Sequence, residues 1–426
     1  MTQGVFKNRS RRREEADFGP KNTSASLPRR LRPLCRFLIS PCTTTLFVAL
    51  WSVVAPLTAS AEVERTRVSI AEGRWFINGE VTFRGAADDP VVYAALKRLA
   101  SGQTGEHSAL TEKEVLAGLR KFFAKTARGD GSFANGIDPE YRGMSDSAYS
   151  DLAAVTYAVT LHKTFGWKLP HEQATRRLLL SRQQPNGDFF NVAGTVDPKS
   201  AEGRVYNTTQ GIVALRALRA KPRYDPLRVF EEILQQDYKT LPAYSTSFFP
   251  LAYLAYGQPI PAEADRRIRA TMVQAPDGYL NDHIAATFHA AHYHRLVGEP
   301  TPMAERIIER MLRDQKPDGS WLLNMPSRDR HATFDAVFTL RQLGPARTDC
   351  QAAIHQAAQW ALSCRNPDGG FGHFPGCMSD ADANYFQVGT LVMAGFLKPA
   401  EPLPPDAHLL SWGHLMPLSG AGGTKR

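Results

Sequence analysis

Cysteine is scarce in this chain, five in 426 residues. Cys35 and Cys42 fall in the first sixty residues, and Cys350, Cys364 and Cys377 have no C-x-x-C spacing. That excludes a disulfide scaffold and a zinc finger, since three thiols in an exported chain close at most one bridge. Long hydrophobic runs are lacking too. The apolar stretch from Leu46 to Leu57 is short for a membrane span and is broken by Pro56. It follows a basic leader with Arg29-Arg30, a feature of the export route for folded proteins, and it precedes the small residues Ala59-Ser60-Ala61. This is the pattern of a signal peptide cleaved near Glu62, hence of an exported protein with no stable span; an uncleaved leader would instead leave a membrane-anchored form. A charge excess is missing as well once the leader is set aside. Up to Ala61 there are 10 basic and 3 acidic residues, which leaves 41 against 39 of the chain's 51 and 42. A remainder of +2 offers no concentrated basic face, so nucleic acid is not an expected partner.

What is present is periodic. RWFINGEVTFRG alternates large apolar residues around Asn78-Gly79 and predicts a small β hairpin. TEKEVLAGLRKFF then opens with Thr111 and Glu114 at capping-box spacing, and helical periodicity dominates from there. A turn recurs as RGDGSF, QQPNGDFF, QAPDGYL, QKPDGSW and RNPDGGF, around Gly131, Gly187, Gly278, Gly319 and Gly369. The intervals are 56, 91, 41 and 50 residues, and the longest has room for a degenerate unit near LPAYSTSFF. Each unit pairs an amphipathic helix that ends at the turn with a more apolar helix that follows it, for about six units. The expectation is an all-α, α/α toroid of two concentric rings with the apolar helices inside. Its parts are a leader (1–61), a small β-containing segment (62–105), the toroid (106–399) and a Pro/Gly-rich tail (400–426).

Gln183-x-x-x-Gly187-x-Phe189 and Gln315-x-x-x-Gly319-x-Trp321 resemble the QW-type repeat of the superfamily of terpenoid cyclases and protein prenyltransferase β subunits. The resemblance covers roughly Lys121 to Pro399. The last unit is most similar to the β subunit of geranylgeranyltransferases, whose final turn and inner helix read P-G-D-M-x-D-x-x-H-T. Here that register is Pro375-Gly376-Cys377-Met378-Ser379-Asp380-Ala381-Asp382-Ala383-Asn384, with Ala383 at the zinc histidine. The family's D-x-C falls on Asp329-Arg330-His331. The resemblance therefore implies zinc as cofactor on Asp329, His331 and Asp382, with three protein ligands and an open position. The alternative is that the aspartates cap inner helices and His331 lines the cavity. The family's diphosphate-binding Arg and Lys fall on Leu323 and Pro326, with Arg328 and Arg330 nearby, and an earlier family histidine falls on Arg204.

Asp380-x-Asp382 also matches part of the D-x-D-D acid motif of class II terpene cyclases, which makes both aspartates catalytic candidates. Tyr149, Tyr206, Phe334 and Tyr385, with Tyr157, Phe248, Phe249, Phe288 and Phe386, are placed to line an isoprenoid pocket or to fill the ring. His289 and His292 share a helical face near His283 and His294; packing is the preferred role for them. Asp146 and Asp151 would suit a carbohydrate-active toroid. The leading function is a prenyltransferase and squalene-cyclase-repeat protein, transferase-like if it is an enzyme, that binds an apolar, isoprenoid-type ligand. The alternatives are a noncatalytic scaffold for protein or glycan partners and a carbohydrate-active hydrolase or lyase.

Overall fold

The computed structural model describes strand residues 68–71, 74–77 and 80–84, and residues 110–418 apart from 237, 282 and 322–329. Three strands, β1 (Val68–Ala71), β2 (Arg74–Ile77) and β3 (Glu80–Arg84), pair antiparallel. Ile77 faces Glu80, so the β2–β3 link has the length the Asn78-Gly79 turn requires.

Thirteen helices follow among the described residues. Six are amphipathic and outer: α1 (Glu112–Thr126), α4 (Glu172–Ser181), α6 (Leu227–Gln236), α8 (Ala262–Arg269), α10 (Ala304–Asp314) and α12 (Thr348–Ser363). Six are buried almost all round: α3 (Asp151–Thr164), α5 (Ala201–Ala217), α7 (Phe248–Tyr256), α9 (Ile284–Val297), α11 (Ala332–Leu343) and α13 (Ala381–Met393). The short α2 (Asp146–Tyr149) leads into α3. Each inner helix packs on the next, and α13 packs back on α3. The ring is therefore closed, as the six-unit repeat implies. Among the described residues, no helix is long and apolar enough to cross a membrane.

The recurrent turn does the joining. Gln183 donates to the Gly187 carbonyl (3.3 Å) and the Tyr224 carbonyl (2.9 Å), and Gln315 donates to those of Gly319 (3.1 Å) and Ala353 (2.9 Å). One side chain thus ties its own turn to the approach or body of the next outer helix. The aromatic residue is bound from the inner side: Thr208 accepts from the Phe189 amide at 3.2 Å, and Thr333 from that of Trp321 at 3.2 Å. Gly369 has φ +94°, and a Cβ there would lie 2.3 Å from the backbone of Gly118 in α1, so this last turn needs glycine twice over. The contact seals the outer ring.

The segment after residue 400 runs back over the C-terminal ends of the inner helices. Asp406 pairs with Arg216 at 2.8 Å, Arg341 donates to the Met416 carbonyl at 2.7 Å, and residues 409–416 are buried. Trp412 stacks on Phe248 (4.8 Å), donates from Nε1 to Tyr157 (2.9 Å), and its amide donates to Tyr385 (2.9 Å). His414 sits between Thr164 (2.8 Å) and Tyr385 (3.2 Å). This end of the ring is filled by the chain itself. Proline and glycine had marked the segment as a tail because composition reports local stiffness, not where the apolar residues between them dock.

Burial depresses two histidines in this packing, His414 and His292, each to about 3. Neither nitrogen of His292 has a hydrogen-bond partner; its ring stacks on Phe288 and meets Phe338 edge-on. The unfolded chain binds a proton at each site below about pH 6.5 while the native state does not, so the stability is complete above that pH and falls as the pH drops towards 3. Between pH 7 and 5 each histidine should remove about 2 kcal/mol. Urea denaturation at the two pH values measures the loss, and His292→Phe should abolish its share; an unchanged pH dependence in that variant would contradict the assignment.

Candidate metal centre

The N-terminal ends of the inner helices gather at the opposite end of the ring. Asp380 caps α13: its Oδ1 accepts from the Asp382 amide at 3.1 Å, and its Oδ2 accepts from the Tyr141 hydroxyl (2.5 Å) and the Met144 amide (2.9 Å). Both of its oxygens are in use, so Asp380 is a cap that also anchors the loop before α2. His331 precedes α11, and its ring lies flat on Phe386 at 3.5 Å. His373 stands in the loop between the last turn and α13, where Gln387 holds its carbonyl at 3.2 Å.

These elements bring His331, His373 and Asp382 together, with one ligand atom of each within 4.8 Å of the others. His373 Nε2 is 2.8 Å from Asp382 Oδ1, and His331 Nε2 is 3.6 Å from Asp382 Oδ2. The Ser147 amide donates to Oδ2 at 3.2 Å. His373 Nε2 and Asp382 Oδ1 are fully buried, and each has no partner but the other. Two buried ligand atoms with no other partner are what a divalent ion would satisfy. Burial works against the charge on Asp382, but His373 together with hydrogen bonds from His331 and Asp380 outweighs it and holds the carboxyl well below its usual range. Burial lowers His373, so its imidazole is neutral. A carboxylate beside a neutral imidazole is a protonation state that suits metal binding, and two nitrogens with one oxygen suit zinc with a fourth position open.

Residues 210–416 match the family model of the prenyltransferase alpha-alpha toroid domain. That stretch, just under half of the chain, is similar to the domain. Solved structures similar to it include the type II terpene cyclase MstE from Scytonema, 15% identical, covering 67% of this chain and 96% of that one with a TM-score of 0.44. Protein geranylgeranyltransferase-I of Candida albicans, complexed with GGPP, is 11% identical over 62% and 91% with a TM-score of 0.42. The ent-copalyl diphosphate synthase from Streptomyces platensis is 16% identical over 74% and 70%, TM-score 0.41. Curated proteins contain no match to the chain.

Within the ring, the expected ligands divide. His331 and Asp382 come together, Asp329 lies outside the described residues, and His373 takes a place no sequence register assigned. Its signal was the histidine in GFGHFPG, nine residues before Asp382, which a search confined to family positions passes over. Arg328 also lies outside the described residues, and Arg330 is half-buried beside His331. Arg204 is bound to Asp188 (3.0 Å) and Glu232 (2.7 Å). Tyr385 stacks on Tyr157 (4.7 Å), Phe334 meets Phe386 edge-on (5.0 Å), and Tyr149 meets Tyr206 (5.0 Å); three of the four aromatic candidates are buried and Tyr149 is half-buried. His283 caps α9 and His289 contacts Ser247 at 2.7 Å; with His292 and His294 they form no metal group among the described residues. Asp151 binds Arg182 (2.8 Å) and the Val192 amide (3.0 Å), while Asp146 accepts from Tyr157. The three cysteines are buried free thiols, and burial pushes Cys377 up to about 12, which makes it a poor thiolate ligand.

Asp380→Ala should cost about 3 kcal/mol, because three buried donors lose their acceptor. Denaturant unfolding measures it. A variant as stable as the parent would show that Asp380 is not the anchor of this end.

Proposed function

We propose that the chain is a zinc-binding, prenyltransferase-like toroid protein that receives an apolar, isoprenoid-type ligand among the aromatic residues of its ring. The observation that carries this reading is the convergence of His331, His373 and Asp382 at the helix N-termini, with His373 Nε2 and Asp382 Oδ1 buried and without a partner but each other. Zinc held by His331, His373 and Asp382 would supply a Lewis acid and lower the pKa of a thiol or water in its open position. The protein's own contribution is to keep Asp382 ionised, to hold the His331 ring against Phe386, and to exclude water from the centre with Tyr157, Tyr385 and Trp412. The reading includes export, which would separate the protein from cytosolic acceptors.

Elemental analysis of the purified full chain, loaded with zinc and dialysed, should find one zinc per chain. His373→Ala and Asp382→Ala should each weaken retention by about 100-fold or more, since one of three ligands is lost. Wild type that holds no stoichiometric zinc at saturating supply would overturn the reading. The noncatalytic scaffold would then be preferred, a role that the filling of the far end by Trp412 and its neighbours also suits.

A further inference from the structure

Beside the metal cluster, five aromatic rings follow one another around the same end of the toroid. Tyr149 meets Tyr206 at 5.0 Å, Tyr206 meets Phe248 at 6.0 Å, Phe248 meets His289 at 5.4 Å, and His289 meets Tyr244 at 6.3 Å. Glu202, one turn before Tyr206 on α5, closes the circuit. It accepts a hydrogen bond from the Tyr244 hydroxyl, and after burial its contact is the largest influence raising the Tyr149 phenol. Tyr206 and Phe248 form the buried base, while Tyr149, Glu202, Tyr244 and His289 keep partial exposure. The hydroxyl of Tyr206 is buried and makes no hydrogen bond.

We propose that this circuit is a binding site for an organic ammonium ion. Aromatic faces carry the negative part of a quadrupole and attract a cation, more so when water is excluded, and a weakly hydrated alkylated ammonium is cheaper to desolvate than a metal ion. Glu202 supplies the formal countercharge. The basic residue nearest to it on the same helix, Arg204, is committed to Asp188 and Glu232 and does not neutralise it. His289 adds no competing positive charge: burial, and then its histidine neighbours, hold its pKa well below the usual value, and its Nδ1 is fixed by Ser247 at 2.7 Å. A phosphate or carboxylate group would meet Glu202 and the ring faces with the wrong sign. A purely hydrocarbon group would leave Glu202 uncompensated. The site is distinct from the His331, His373 and Asp382 cluster and does not depend on a metal there.

Choline and its uncharged isostere 3,3-dimethylbutan-1-ol, titrated into the full chain by saturation-transfer NMR, separate charge from shape. Choline should bind in the millimolar range or tighter, and the isostere at least about tenfold more weakly. Glu202→Gln and Tyr244→Leu should each weaken choline about tenfold while melting temperature and zinc content stay unchanged, so a failure here is distinguishable from a failure of the zinc reading. Equal binding of the isostere, no choline binding, or full choline affinity in Glu202→Gln would each overturn the proposal.

Discussion

The structure depends on the close approach of each turn to the next outer helix. A ring of helix pairs has no sheet to hold its register and no central strand to impose spacing. The spacing comes from backbone against backbone at Gly131, Gly187, Gly278, Gly319 and Gly369, each of which lies where a side chain would strike the following outer helix or the residues leading into it. Because Gly369 meets α1 rather than a further repeat, the same contact that propagates the ring also ends it. The first outer helix answers with Gly118, so both sides of the seam are free of side chains.

Closure then decides where chemistry can occur. All inner helices run the same way between two ends, so their N-termini, with free amides and positive dipole ends, collect at one end and their C-termini at the other. Three aspartates, Asp146, Asp380 and Asp382, stand at the first end; burial pushes the first two up, and only Asp382 is held below the usual carboxylate range. The three are used differently. Asp380 is consumed by capping and Asp146 is engaged by Tyr157, which leaves Asp382 as the one of them that faces the two histidines. At the second end Arg216, Arg295 and Arg341, near the C-termini of their helices, bind the chain's own C-terminal segment.

The architecture was legible because its cause is local. A Gly turn followed by an aromatic, recurring between an amphipathic and an apolar helix, is enough to announce outer and inner layers, and the six-pair count is the one observed. The site was legible only in part. His331 and Asp382 stand at helix starts, where position along the chain predicts position in space. His373 reaches them from a loop whose path is set by the Gly372 and Cys377 backbones and by Gln387, none of which periodicity describes. The segment after residue 400 was read by composition as a tail because its anchors, Tyr157, Phe248 and Tyr385, lie far away in sequence, and long-range docking of a short apolar stretch has no periodic signature.

Trp412 ties these features into one constraint. Its indole donates from Nε1 to Tyr157 and presents its face to Phe248, and its backbone amide donates to Tyr385. Tyr157 in turn bonds Asp146, which lies within the field of His331 and Asp382. The segment that seals the C-terminal end is therefore connected, through one tyrosine, to the carboxylates of the other end. A toroid whose centre held only hydrocarbon would fix neither the depth of the remaining space nor the orientation of Asp146. The polar atoms of a single tryptophan and two tyrosines do both, because leaving any of them unpaired in the ring's interior would cost more than the order they impose.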